Sequence, residues 1–283
     1  MRLLAPVFAA TLVVSACKPP AEAPQELGEL SLFMFENFDS EDVASLEAAT
    51  LNLETYLLSI DLEGKVDERA VTLPKLTAER LGSISPTEGA DLELQVPVGV
   101  SGISIHNFET NLSAVSETNY ICLDSETSKY SERAFTSDLD CFMTGECGTL
   151  STTQWVRKES ALGKVWFQLY KDYRRETMED GRDVMHARTY LKESFITDST
   201  KGSWDQNYAY EIWLPTAESG QTMRFFGLWS SVQLALLGDD AWAVLVKDGI
   251  DESFGFTDEF LSGTDPEEYC SNDRTPDDLS PPE

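Results

Sequence analysis

The sequence predicts an α+β fold: helices first, then a curved antiparallel β-meander over about 164–236, then a closing helix over about 239–261. Three observations carry this. A long stretch alternates apolar and polar residues with turn signals at regular intervals, the pattern of half-buried strands. Val43, Leu46, Thr50, Leu53, Leu57 and Ile60 recur at steps of three and four, one stripe of a helix. Trp242, Val246, Ile250 and Phe254 then step by four, a second such stripe.

The chain opens with MRLLAPVFAATLVVSACKPP. Arg2 precedes an apolar run from Leu3 to Val14, too short for a bilayer, which needs about 20 residues. It has the shape of a secretory signal. The small residues Val14-Ser15-Ala16 then lead to Cys17. This segment resembles the lipobox of bacterial lipoproteins. The resemblance covers only the first twenty residues. It implies cleavage after residue 16, acylation of Cys17, and a mature protein of 17–283 anchored in the cell envelope. The residue after the cysteine is Lys18 and not aspartate, which by the family's sorting rule implies the outer membrane over the inner. More than one acyl chain makes such an anchor stable. Residues 17–27, proline- and glutamate-containing, read as a lipidated tether.

Fifty acidic residues face 21 basic ones, a net charge of −29. That balance argues against nucleic acid as a partner. Apolar residues make up 41% of the chain, enough for a packed core, so 28–263 reads as one globular domain. Residues 264–283 are acidic and proline-containing and read as a disordered tail. With Cys17 lipidated, Cys122, Cys141, Cys147 and Cys270 remain, an even number that suggests two disulfides in an oxidising compartment. Three pairings are open; Cys122 with Cys141 or with Cys147 would staple the polar excursion 124–140. A zinc site is the weaker reading, because Cys141 and Cys147 are too widely spaced and the chain has two histidines.

Within the domain, Leu30, Phe33, Met34 and Phe38 predict a short helix over 28–38. Asp39 or Ser40 is the expected cap of the next helix, which Gly64 closes. Residues 65–91 read as loop with short structure. Short strands are expected at 92–96, 98–100 and 103–105, with a turn near Ser101-Gly102. The meander opens with a hairpin about Glu179-Asp180-Gly181. A two-residue turn would mix its faces. A three-residue loop with Gly181 left-handed sets Leu169 against Leu191, Asp172 against Arg188, Tyr170 against Tyr190 and Val165 against Phe195. The second strand is expected from Val184 to Thr197, followed by strands 203–214 and 221–234. For 239–261 a helix capped by Asp239 is preferred to a strand at 242–246.

No nucleophile elbow, zinc-protease, phosphate-loop or dinucleotide motif is present, so no catalytic residue, cofactor or metal ligand is assigned. His106 and His186 read as structural. One local anomaly stands out: Arg157 to Lys192 carries nine basic and six acidic residues. In the predicted register Trp166, Tyr170, Arg174, His186, Arg188, Tyr190 and Lys192 share a face, where aromatics beside cations could receive an anionic or amphiphilic ligand. The simpler reading is a sheet face packed under other parts of the chain. A long meander followed by a helix looks like the helix-grip, lipid-transfer type of domain, which implies an apolar cavity between helix and sheet. The expected function is a non-enzymatic, lipid-anchored envelope module. It would bind a small hydrophobic, amphiphilic or anionic ligand, or a protein partner. The alternatives are a structural lipoprotein with a filled core and a hydrolase with a dispersed site.

Overall fold

The structure, a computed structural model, describes residues 22–117, 128–160, 163–193, 195–196, 202–217, 220–234 and 238–264. Cys17, Cys122, Cys270 and the tail beyond 264 lie outside them. Helices α1 (Leu27–Glu36) and α2 (Val43–Leu57) come first, then a single helical turn, α3 (Val66–Arg69), and strands β1 (Ala70–Thr72) and β2 (Val96–Ser104). Short helices α4 (Phe108–Ser113) and α5 (Leu139–Met143) flank β3 (Ser128–Phe135). Strands β4 (Thr149–Ser160), β5 (Gly163–Thr177), β6 (Asp183–Tyr190), β7 (Phe195–Ile196), β8 (Gly202–Pro215) and β9 (Thr222–Leu234) follow, and α6 (Asp239–Leu261) closes the domain. The strands form one antiparallel sheet in the order β1-β2-β9-β8-β6-β5-β4-β3, with β7 paired to β8. This is the expected α+β arrangement, with the meander in sequence order and α6 lying against one sheet face.

The hairpin joins as its turn chemistry dictates. The Gly181 amide donates to Met178 O, Met178 N donates to Arg182 O, and Gly181 has φ +86°. A side chain there would be strained, so glycine sets the register. Tyr170 faces Tyr190 and Asp172 faces Arg188, as the face argument requires. The second strand does not run on to Thr197. After Tyr190 it leaves β5: Leu191 N donates to Asn207 O, and Lys192 O accepts from Glu88 N. Phe195 then pairs with Trp204 of β8, so it is not opposite Val165.

Other expectations are corrected. Residues 96–104 form one strand without a turn at Ser101-Gly102. Gly102 serves close packing instead, since a Cβ there would sit 2.7 Å from the Phe254 ring of α6. Residues 92–94 form a 3-10 turn. The cap of α2 is Asp42, which accepts from Ser45 N at 3.3 Å; Asp39 is drawn away to the sheet. Within the 124–140 excursion, Ser128–Phe135 is an edge strand. Cys141 pairs with Cys147, so neither staple through Cys122 forms. One helical turn of α5 and the left-handed Gly145 bring Cys147 N onto Cys141 O at 3.0 Å.

The two sheet faces have different covers. On the first, α1 and α2 bury Leu30, Met34, Phe35, Leu46 and Leu53 against Tyr208, Tyr210, Ile212, Phe225 and Trp229. Ala23 and Leu27 are already part of this core, ahead of the expected boundary at 28. On the second, α6 sets Val246 and Ile250 on Val98 and Val100 of β2, while α4 and α5 cover Leu150, Tyr173, Met185 and Trp213. Val246, Ile250, Trp242 and Phe254 form the expected stripe.

Candidate functional site

The site is built where the β5–β6 hairpin passes under the link between α1 and α2. Antiparallel pairing places Asp172, Arg174, His186, Arg188 and Tyr190 on the first face, together with Tyr170. Trp166 is backbone-paired to Arg157, and its side chain lies outside the described residues.

Arg174 and His186 are absorbed by the cover. Arg174 Nη1 donates to Phe38 O at 2.6 Å and Ser40 O at 2.7 Å, and Nε donates to Glu176 Oε1 at 2.5 Å. These bonds satisfy carbonyls of the link between α1 and α2, which lie outside both helices. His186 is fully buried, and its Nδ1 shares a hydrogen bond with the Tyr210 hydroxyl at 2.5 Å. Burial, aided by the positive charge of Arg174, pushes its pKa down to about 3, so the ring is neutral. Its Nε2 lies 4.0 Å from Glu176, whose carboxyl is itself raised by burial. Burial also raises the Tyr210 phenol, which keeps its proton. Tyr170 stacks on Tyr190 with centroids 5.5 Å apart, and the exposed Lys192 places its ammonium 3.7 Å from the Tyr170 centroid.

Arg188 and Tyr190 do more. They line a cavity of about 300 Å³ with Phe38, Asp39, Ser83, Ile84, Thr149, Ser151, Asp172 and Tyr173. Arg188 is 2% exposed, and its guanidinium lies over the Phe38 ring at 4.5 Å. Nη2 donates to Asp39 Oδ2 at 2.7 Å and Ser83 Oγ at 3.3 Å, while Asp172 Oδ2 lies 3.6 Å away. Its Nε and Nη1 have no hydrogen-bond partner. Ser83 donates to Asp39, and Ser151 donates to Asp172 at 2.7 Å. Burial and the Asp172 charge raise the Tyr190 phenol, which therefore remains a donor. The cavity thus has an apolar wall of Phe38, Ile84 and Tyr190 and a hydrogen-bonding wall of Arg188, two carboxylates and three hydroxyls.

Sequence reasoning reached Arg188, Tyr190 and their partner Asp172. It did not reach Asp39, Ser83, Ile84, Thr149 or Ser151, which arrive from three other stretches. The misplaced cap was the available signal: an aspartate not needed by its helix is available to the sheet.

The opposite face holds a second buried charge pair. Lys171 Nζ donates to Glu211 Oε1 at 2.5 Å and lies over the Tyr173 and Trp213 rings at 5.3 and 5.6 Å. Under α6 itself the described side chains pack directly on the strands. His106 Nε2 meets Ser262 Oγ at 3.2 Å and Asp258 O at 3.1 Å. The Asp258 carboxylate points elsewhere, to Arg224 and Ser104, so no Ser-His-carboxylate relay is assembled. Among the described residues no group of three or more metal-ligating side chains occurs.

No protein-family model and no curated protein sequence matches the chain. Solved structures overlap it at low identity. A STAR-related lipid transfer protein from Xanthomonas axonopodis has 9% identity and a TM-score of 0.43, over 63% of this chain and 90% of its own. A protein from Thermus thermophilus has 8% identity and a TM-score of 0.41, over 59% and 99%. A START superfamily protein from Mycobacterium smegmatis has 12% identity and a TM-score of 0.38, over 59% and 97%.

Proposed function

We propose that this chain is a membrane-tethered, non-catalytic module that takes a small amphiphilic molecule into the cavity between the α1–α2 link and strands β4 to β6. The observation that carries the reading is the cavity's division into an apolar wall and a polar wall, with Arg188 buried between them. Its volume of about 300 Å³ falls at the lower end of ligand sites, which run from about 300 to 1,000 Å³.

The tether reading rests on the lipobox-like segment ending at Cys17. The chain enters the domain at Ala23 and Pro24, whose carbonyls accept from Asn52 Nδ2 of α2 at 3.2 and 2.9 Å. Residues 17–22 span at most about 20 Å when extended, so an acylated Cys17 would hold the domain close to a bilayer. The outer membrane is the proposed location, from Lys18.

Native mass spectrometry of protein released gently from its own membrane tests the ligand. An added mass is expected on the wild type and not on Ser83→Trp, which should fill the cavity from an exposed loop position and whose fold circular dichroism checks. Protein without added mass in both would contradict the reading. For the anchor, metabolic fatty-acid labelling is expected in the wild type and not in Cys17→Ser. Equal label in both, or none in either, refutes it.

A further inference from the structure

Resting on that reading, we infer that the polar part of the bound molecule is a neutral, hydroxyl-rich group, of the sugar or polyol class, and not a carboxylate, phosphate or quaternary amine. The sequence draws attention to this face by its excess of cations, which would suit an anion. The folded arrangement changes the balance. Arg174 is consumed by Glu176 and two backbone carbonyls. Lys192 sits over Tyr170, which is not among the cavity's lining residues. At the cavity one guanidinium meets two carboxylates, Asp39 at 2.7 Å and Asp172 at 3.6 Å. The immediate site therefore carries a formal surplus of negative charge, and an anionic head seated on Arg188 would be forced against both aspartates.

A cation fails for a different reason. Arg188 already occupies the place of a counter-cation, with Asp39 at 2.7 Å and Asp172 at 3.6 Å, and a quaternary ammonium can neither donate to nor accept from the hydroxyls of the polar wall. The site suits a group that donates to carboxylates and accepts from the Thr149 and Tyr190 hydroxyls within a few ångströms. An alcohol does both with one atom. The Ser83 and Ser151 oxygens, whose protons go to Asp39 and Asp172, still accept, and the Thr149 hydroxyl works in both directions, which extends the match around the wall. Phe38, Ile84 and Tyr190 supply apolar surface for the C–H side of a ring or for a short chain.

The test uses the full-length protein in lipid nanodiscs and four probes with the same hexyl tail: hexyl β-glucoside, 1-O-hexylglycerol, hexanoate and hexyltrimethylammonium. Binding is read by calorimetry in the wild type, Asp172→Asn and Ser83→Trp, with circular dichroism and thermal melts checking the fold. The neutral heads are expected to bind at least about tenfold more tightly than either charged head, the scale of one charged hydrogen bond. Ser83→Trp should abolish that binding. Asp172→Asn should weaken the neutral probes by about tenfold and strengthen hexanoate, because it removes a strong acceptor and a repelling charge together. A charged head that binds most tightly, yet loses binding in Ser83→Trp, overturns the ligand class and leaves the cavity reading standing. Binding that ignores Ser83→Trp, or no binding by any probe, overturns both.

Discussion

The two covers of the sheet are made differently. On the first face α1 and α2 bury whole aromatic and aliphatic side chains against β8 and β9, and buried cations of the sheet tie down the link between the two helices: Arg174 to the Phe38 and Ser40 carbonyls, Arg188 to Asp39. On the second face α6 sets mainly Val246 and Ile250 on the strands, and charged pairs along its length hold the rest. Arg69 meets Asp251, Lys247 meets Asp67, and Arg224 Nη2 donates to Asp258 at 3.0 Å. The difference is between a cover that is part of the core and a strap fastened over it. It teaches where to look: the proposed ligand site, framed by the first cover, should share the rigidity of the fold, whereas α6 is expected to loosen without dissolving the domain.

The largest expected effect breaks the first cover. Phe35 is fully buried, with its ring edge-on to Tyr208 and Trp229, at centroid distances of 6.4 and 5.6 Å. Phe35→Ala should cost about 4 kcal/mol and lower the denaturant midpoint of the entire domain in one transition. Loss of α1 alone, with the sheet intact, would show that this cover is a strap too.

Next comes acid. In the unfolded chain His186 takes a proton near pH 6.5, and in the fold it refuses one until about 3. Its contribution is therefore complete above pH 6.5 and falls as pH drops from 6.5 toward 3, by about 1.4 kcal/mol for each pH unit. Carboxylates titrate in the same window, so the measurement is the difference in unfolding free energy between wild type and His186→Gln. That difference should shrink on acidification, and a pH-independent difference would mean that the ring is protonated in the fold.

The strap should respond less. Asp258→Asn weakens the bonds to Arg224 and Ser104 and should cost about 1.5 kcal/mol, with faster hydrogen exchange confined to α6 and β2. Smallest of all, Lys247→Ala removes a pair whose aspartate is largely exposed, and should leave the melting temperature unchanged within error.

What the sequence shows of this follows from how local each signal is. The hairpin register was readable because Gly181, the alternation and the Asp172–Arg188 pair lie within about twenty residues and agree. The α6 stripe was readable for the same reason. Strand β4 escaped because its second-face side chains include Thr152 and Gln154, buried polar residues that interrupt the apolar alternation. The strand 96–104 looked broken because its glycine answers to Phe254, far along the chain in α6. The cavity is the least legible feature: its lining comes from 38–39, 83–84, 149–151 and the hairpin, and no spacing rule joins them.

Hydrogen exchange followed by mass spectrometry, with and without hexyl β-glucoside, decides which cover frames the proposed ligand site. Protection is expected in peptides covering 36–44 and 80–86 and in the 149–152 end of β4, with α6 unchanged. Protection concentrated in 239–261, with the α1–α2 link unaffected, would place the ligand under the strap and contradict the account.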